Sequence, residues 1–144
     1  MELRYAILLK YGIPLMERKI VITEDGSHTV SIPEMGVTYH SIHGAIQESM
    51  HVFIEAGFNY VFDKLNNDQI RILEVGFGTG LNALLTAIEA KKAKTSIYYV
   101  AMEPYPLTDE EVQSLNYCDQ LARKDLQKDF IRMHLCEWNK SIVV

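Results

Sequence analysis

The stretch that decides the fold is Ile72-Leu73-Glu74-Val75-Gly76-Phe77-Gly78-Thr79-Gly80-Leu81-Asn82-Ala83. Residues 70–75 are mostly apolar and read as a buried strand. Three glycines in five residues follow, and Leu81, Leu84, Leu85 and Ile88 then recur at helical spacing. A strand that runs through alternating glycines into a helix lets the backbone approach a ligand closely, because glycine has no Cβ. The unpaired N–H groups at the helix start add a polar cradle.

Toward the C-terminus, residues 95–102 read as a second strand, rich in β-branched and aromatic side chains. Strand, helix, strand within about thirty residues is a βαβ unit, whose crossover makes the two strands parallel. Glu103 ends the second strand, 23 residues after Gly80. In doubly wound sheets an acid at that place accepts hydrogen bonds from ribose hydroxyls. Loop and acid together describe a site for an adenosine-type ligand at the carboxyl ends of parallel strands.

Gly78-x-Gly80-x-x-Ala83 matches the dinucleotide fingerprint. Two features favour a ligand without phosphates. Glu74, just before the loop, would repel a pyrophosphate, whereas it suits the cationic amine of S-adenosylmethionine. The glycines also run as G-x-G-x-G, one register tighter than the dinucleotide pattern needs. A nicotinamide or flavin cofactor is the alternative.

Further along, Thr108 with Glu111 three positions on is a capping box, which predicts a helix from Asp109. Residues 121–135 read as another helix. Toward the N-terminus, Lys19-Ile20-Val21-Ile22-Thr23, the turn Glu24-Asp25-Gly26-Ser27 and Thr29-Val30-Ser31-Ile32 predict a β-hairpin. Residues 37–40 are a candidate third strand. Ala45, Ile46, Met50, Phe53 and Ile54 predict a helix with one apolar face, interrupted at Gly57 and resumed by Tyr60, Val61 and Leu65 until Asn66-Asn67-Asp68 stops it.

Composition bounds the function. The chain has 144 residues, 14 Lys+Arg and 19 Asp+Glu, a formal net charge of −5. That is the length of one domain, and the acidic balance argues against a dominant basic nucleic-acid surface. Lys91-Lys92-Ala93-Lys94 suits the end of a helix dipole, with RNA phosphate as the alternative partner. No apolar run approaches the ~20 residues of a membrane span, so no membrane partner is expected. The run of residues 6–9, closed by Lys10, is too short for a secretory signal. Cys118 and Cys136 form no CxxC pair, which reads as a reduced, cytoplasmic protein. His40-x-x-His43 is the closest histidine pair and lacks a third ligand, so no metal is expected.

The loop and the second acid resemble motifs I and II of the class I S-adenosylmethionine-dependent methyltransferases. The resemblance is closer to one family. Residues 39–54 (YHSIHGAIQESMHVFI), residues 73–82 (LEVGFGTGLN) and residues 103–107 (EPYPL) resemble the MnmC methyltransferase domain and its stand-alone, MnmD-type relatives. The likeness extends over residues 19–144. It implies the N-terminal part of a Rossmann-like class I methyltransferase α/β sheet, preceded by a β-hairpin. In these terms residues 1–144 are a single, incomplete methyltransferase domain, with 1–40 the hairpin extension and 41–144 the cofactor-binding βαβ part.

The resemblance implies S-adenosylmethionine as cofactor and, as reaction, methylation of the aminomethyl group of 5-aminomethyl-2-thiouridine at the tRNA wobble position. Gly76, Phe77, Gly78, Thr79 and Gly80 would line the methionine and ribose end of the cofactor, with Glu74 beside them. Glu103 would hold the ribose diol and Pro104 would lie near the adenine. Tyr39, Ser41, Glu48 and Ser49 match a signature beside that pocket. The family's later Asp-, Phe- and Pro-rich motif has no match here, so the catalytic group is expected beyond Val144. The alternatives are a methyltransferase of another substrate, an NAD-binding oxidoreductase, or a non-catalytic adenosine-ligand module. An exposed sheet edge would favour a homodimer. A fused or separate oxidoreductase is a further expected partner.

Overall fold

A computed structural model describes residues 1–6, 16–64, 70–137 and 140–144. It has two sheets. Strands β5 (Ile70–Val75) and β6 (Ile97–Met102) run parallel and are joined through helix α3 (Leu81–Ala93), which is the βαβ unit read from the sequence. Their register pairs Glu74 with Ala101 and Val75 with Met102, so the loop after β5 and Glu103 after β6 emerge side by side.

The sheet also holds two strands the sequence reading did not assign. β1 (Glu2–Ala6) lies parallel to β6, and β7 (Ser141–Val143) lies antiparallel to β1, giving the order β5-β6-β1-β7. Both are short, and only long-range pairing identifies them. The reading of β5 as a buried strand holds for one face and is corrected for the other. Ile70 and Glu74 are buried, while Leu73 and Val75 on the opposite face are 65% and 74% exposed. One face of the sheet therefore enters the core, through Leu3, Ile97, Tyr99 and Ala101, and the other is open along β5.

The second sheet is the predicted hairpin with its third strand: β2 (Lys19–Ile22), β3 (His28–Ile32) and β4 (Val37–Thr38), all antiparallel. Its turn does more than reverse the chain. The helix that follows, α1 (Ala45–Ser49), starts at Gly44, which offers no side chain to its first N–H groups. The turn supplies the acceptors. Ala45 N–H donates to Thr23 Oγ1 (3.3 Å), Ile46 N–H to Ser27 Oγ (3.2 Å) and Gln47 N–H to Asp25 Oδ2 (3.0 Å). Asp25 also accepts from the Ser27 N–H and from the hydroxyls of Thr23 and Ser27.

Gly57 does not interrupt the helix. The chain continues from α1 through π-type turns over Met50–Asn59 into α2 (Tyr60–Lys64). The wider winding explains the pattern that the residue spacing alone misreads. The buried positions Ala45, Ser49, Ile54 and Phe58 are spaced four, five and four apart, and the step of five lies where the helix widens. Leu65 and the stop at Asn66-Asn67-Asp68 lie outside the described residues, as do residues 7–10.

The helix predicted over 121–135 is also corrected. The chain forms α4 (Asp109–Ser114), with the Thr108–Glu111 capping box in place, a short α5 (Tyr117–Gln120), a 3-10 turn (Lys124–Leu126) and α6 (Gln127–Leu135). Ala122 in the left-handed region (φ 52°) breaks the run. These helices grip the hairpin. Asn116 accepts from His28 N–H and donates to Gly26 O, both at 2.9 Å, and Tyr117 Oη donates to His28 O at 2.7 Å. Arg18 ties the hairpin to the segment after β6, with two 2.8 Å bonds to the Glu111 carboxylate and one to Tyr105 O.

Candidate functional site: a glycine loop held from both sides

The loop between β5 and α3 turns on its three glycines, with φ of 87° at Gly76, 53° at Gly78 and 71° at Gly80. Two of them are also crowded, Gly80 more than Gly78. A Cβ on Gly80 would lie 2.8 Å from His134 Nε2 and 2.8 Å from Phe77 Cζ, and one on Gly78 would lie 3.1 Å from the Tyr39 ring. Gly76 differs, because a Cβ there would meet nothing within 4 Å among the described residues. At Gly76 the backbone faces open space, a cradle that a side chain would fill.

Glu103 closes the loop onto β6. Its Oε2 accepts the Gly78 N–H at 2.7 Å and its Oε1 accepts the Tyr105 N–H at 2.8 Å. Gly76 N–H donates to Met102 O at 2.8 Å. Glu103 is only 6% exposed, and a carboxylate has about four acceptor sites, so two remain for hydroxyl donors. Pro104 follows in the exposed bend beside it.

Glu74 is buried beneath the loop. It accepts from Asn82 Nδ2 (2.9 Å) and from Tyr99 Oη (2.9 Å). Burial pushes its carboxyl up to about 7, against the lowering effect of those two bonds, with the Glu103 charge adding to the rise. The same environment pushes the Tyr99 phenol far above its ordinary value, burial first and then the Glu74 charge. Asn82 Oδ1 is buried and has no hydrogen-bond partner among the described residues. An orphaned amide oxygen beside a carboxylate is an acceptor pair for a cationic or amine donor, and a poor neighbour for a phosphate.

Thr79 is held from two directions. His40 Nε2 lies 2.8 Å from its hydroxyl and His134 Nε2 lies 3.2 Å from its carbonyl oxygen. His134 is enclosed edge-on by Phe77 and Phe130, and burial pushes its imidazole down to about 4, so it is neutral near pH 7. Burial likewise lowers His40, with Glu48 working in the opposite direction. The sequence assigns neither histidine to this loop, and His40 enters there only as half of the rejected metal pair with His43. His40 sits within a recognised stretch but read as an ordinary polar residue, and no spacing rule connects His134 to residue 79.

The remaining candidates fall into two groups. Tyr39 packs over Gly78, and Glu48 accepts the Ser41 N–H at 2.8 Å, with its Oε2 3.7 Å from His40 Nδ1. Ser41 in turn accepts the His43 N–H. These residues flank the loop. Phe77 and Ser49 point into the core, at 4% and 4% exposure, so Phe77 faces the loop's outer side only with its backbone.

Comparison with known proteins adds to this geometry. No family model matches the chain. Over 100 residues it is 33% identical to the tRNA 5-methylaminomethyl-2-thiouridine biosynthesis bifunctional protein MnmC of Leptospira interrogans, a match covering 65% of this chain and 15% of that protein. The protein of the same name from Burkholderia mallei is 35% identical over 99 residues, covering 65% and 14%. A crystal structure of MNMC2 from Aquifex aeolicus superposes with a TM-score of 0.55 at 30% identity, covering 65% of this chain and 31% of that one. Over 65% of its length the chain is similar to MnmC proteins. The MnmC-like chain spans about one seventh of the length of the curated relatives it matches.

Proposed function

We propose that the MnmC-like chain binds S-adenosylmethionine and takes part in methyl transfer to the aminomethyl group of 5-aminomethyl-2-thiouridine at the tRNA wobble position. The observation that carries the cofactor is the acceptor pair under the loop, Glu74 with the orphaned Asn82 Oδ1, beside the open cradle at Gly76. Those groups fit an ammonium and a sulfonium chain better than a pyrophosphate. Glu103, with two acceptor sites to spare, fits a ribose diol. The acceptor rests on the relatives, which are named for tRNA 5-methylaminomethyl-2-thiouridine biosynthesis.

When bound, the cofactor supplies an electrophilic methyl group on sulfur. The chain's own residues hold and orient. Glu103 fixes the loop against β6, Glu74 and Asn82 take the amine end, and Tyr39 closes over Gly78. An acceptor amine must be neutral to attack, which asks for a dry pocket or a base close by. Ultraviolet cross-linking of labelled S-adenosylmethionine to the chain tests the cofactor. Labelling that S-adenosylhomocysteine competes away and NAD does not is expected; competition by NAD alone would favour an oxidoreductase. Methyl transfer to tRNA carrying 5-aminomethyl-2-thiouridine, and none to tRNA with an unmodified wobble uridine, tests the acceptor.

The open side of β5 supports a second part of the reading. Among the described residues β5 pairs only with β6, and Leu73 and Val75 are exposed beside it. We infer that this edge pairs with a second copy of the chain, and sedimentation at rising concentration should show a dimer. The relatives are named as bifunctional, and we propose an oxidoreductase, separate or fused, as the companion activity. No helix among the described residues is long and apolar enough to cross a membrane, and a cytoplasmic location fits a tRNA substrate.

A further inference from the structure

Thr79 sits at the middle of the glycine loop with 1% exposure, so its hydroxyl cannot be a surface contact. A buried hydroxyl needs partners, and here they come from far away in sequence: the His40 imidazole and the Tyr117 phenol, which also bonds the Thr79 side chain. His40 Nε2 approaches Thr79 Oγ1 at 2.8 Å across 39 residues. His40 is itself fixed at both ends. Its backbone N–H donates to Thr29 Oγ1 at 2.9 Å, which anchors it to β3. Its Nδ1 faces Glu48 Oε2 at 3.7 Å, and that same oxygen accepts the Ser41 N–H. On the other side, His134 of α6 meets the Thr79 carbonyl, so the loop is held between the hairpin sheet and the last helix.

We propose that His40 is a positioning residue of the glycine loop: with Glu48 behind it, it holds the Thr79 hydroxyl and so sets the loop conformation that receives the adenosyl ligand. The Glu48 carboxylate, 3.7 Å from Nδ1, favours the tautomer with the proton on Nδ1 through its charge. Nε2 then carries the lone pair and accepts the Thr79 O–H. Glu48, Ser41, His40 and Thr79 form one chain of contacts running from the surface of α1 to the loop. The role is indirect, since Thr79 is buried and His40 acts through it. This rests on the reading that the loop holds S-adenosylmethionine.

The test uses the full chain and S-adenosylhomocysteine as the probe. Affinities are measured by calorimetry for wild type, His40→Ala, His40→Gln, Thr79→Val and the double variant His40→Ala/Thr79→Val. Removing one neutral hydrogen bond should weaken binding roughly five- to tenfold in His40→Ala, and at least as much in Thr79→Val. The double variant should bind no more weakly than Thr79→Val, because Thr79→Val already removes the His40 bond together with the Tyr117 one. His40→Gln, which places a polar atom near the position of Nε2, should recover binding to within about threefold of wild type. Wild-type affinity in His40→Ala, or losses that multiply in the double variant, would overturn the proposal. If wild type binds no S-adenosylhomocysteine, the cofactor reading fails, and nitrogen NMR of the ligand-free chain decides the positioning role. A His40 ring protonated on Nδ1 whose Nε2 shift moves in Thr79→Val supports it; an Nε2 shift indifferent to Thr79→Val overturns it.

Discussion

Glu103 Oε2 accepts the Gly78 N–H at 2.7 Å, a bond between the ends of two neighbouring parallel strands that spans 25 residues of sequence. The second oxygen takes the Tyr105 N–H, so one side chain orders both the glycine loop and the segment after β6. The acid expected to meet a ribose therefore shapes the site before any ligand arrives.

Glu103→Ala leaves two N–H groups without partners at a site that is 6% exposed. The expected loss is roughly 2–4 kcal/mol of stability, and S-adenosylmethionine binding should disappear. Glu103→Gln keeps an acceptor and should cost about half as much. Urea unfolding of the three proteins checks this, and equal stability of Glu103→Ala and wild type would contradict the role.

Gly76 and Gly80 should respond oppositely to alanine. Both have positive φ, which costs an alanine roughly 1–2 kcal/mol. At Gly80 the new Cβ also collides with His134 and Phe77 at 2.8 Å, so Gly80→Ala should unfold or repack the loop. At Gly76 the Cβ enters open space, so Gly76→Ala should fold with only the backbone cost yet lose ligand by filling the cradle. Thermal melts paired with ligand titration separate the two.

The pH dependence of stability should carry the mark of Glu74. Its carboxyl, ordinarily near 4.5, is raised to about 7 in the folded chain, chiefly by burial. A raised value means the folded state holds its proton over that interval while the unfolded chain has released it. The contribution is full below pH 4.5 and is lost as pH rises through 7, roughly 3 kcal/mol in all. Glu74→Gln should flatten that slope. Unfolding free energies at pH 5 and pH 8 check it, and an unchanged slope in the variant would exclude Glu74 as its source. A cationic ligand favours the charged carboxyl, so binding near pH 6.5 should release a proton, visible as a dependence of the calorimetric heat on buffer.

Asp25 should behave as a helix cap supplied from a β-turn. Asp25→Ala removes the acceptor for Gln47 N–H and for the Ser27 N–H, and about 1–2 kcal/mol of stability should go with it. Burial opposes ionisation of this carboxyl, but the bonds from Ser27, Gln47 and Thr23 win and hold it below its ordinary 3.8. The depressed value means its contribution is present above 3.8 and lost as the pH falls below it. Acid unfolding of wild type and Asp25→Asn should therefore converge at low pH.

What the sequence discloses depends on how local each signal is. The βαβ unit, the hairpin and the Thr108–Glu111 capping box are short-range patterns, and each is found where its residues place it. The glycine loop and Glu103 were legible for the same reason. β1 and β7 were not, because a five-residue and a three-residue strand show their nature only once paired across the chain. The helix through Gly57 was misread because its buried stripe steps by five where the winding widens. Asp25 read as a turn residue and proved a cap as well, since its acceptor role reaches 22 residues on to Gln47. The grip of His40 and His134 on Thr79 spans 39 and 55 residues and leaves no trace in spacing.

Calorimetric titration of the chain with S-adenosylmethionine, and separately with NAD, tests the central claim most directly. The account predicts saturable binding of S-adenosylmethionine, none of NAD, and loss of the signal in Glu103→Ala. Saturable binding of NAD with none of S-adenosylmethionine would contradict it.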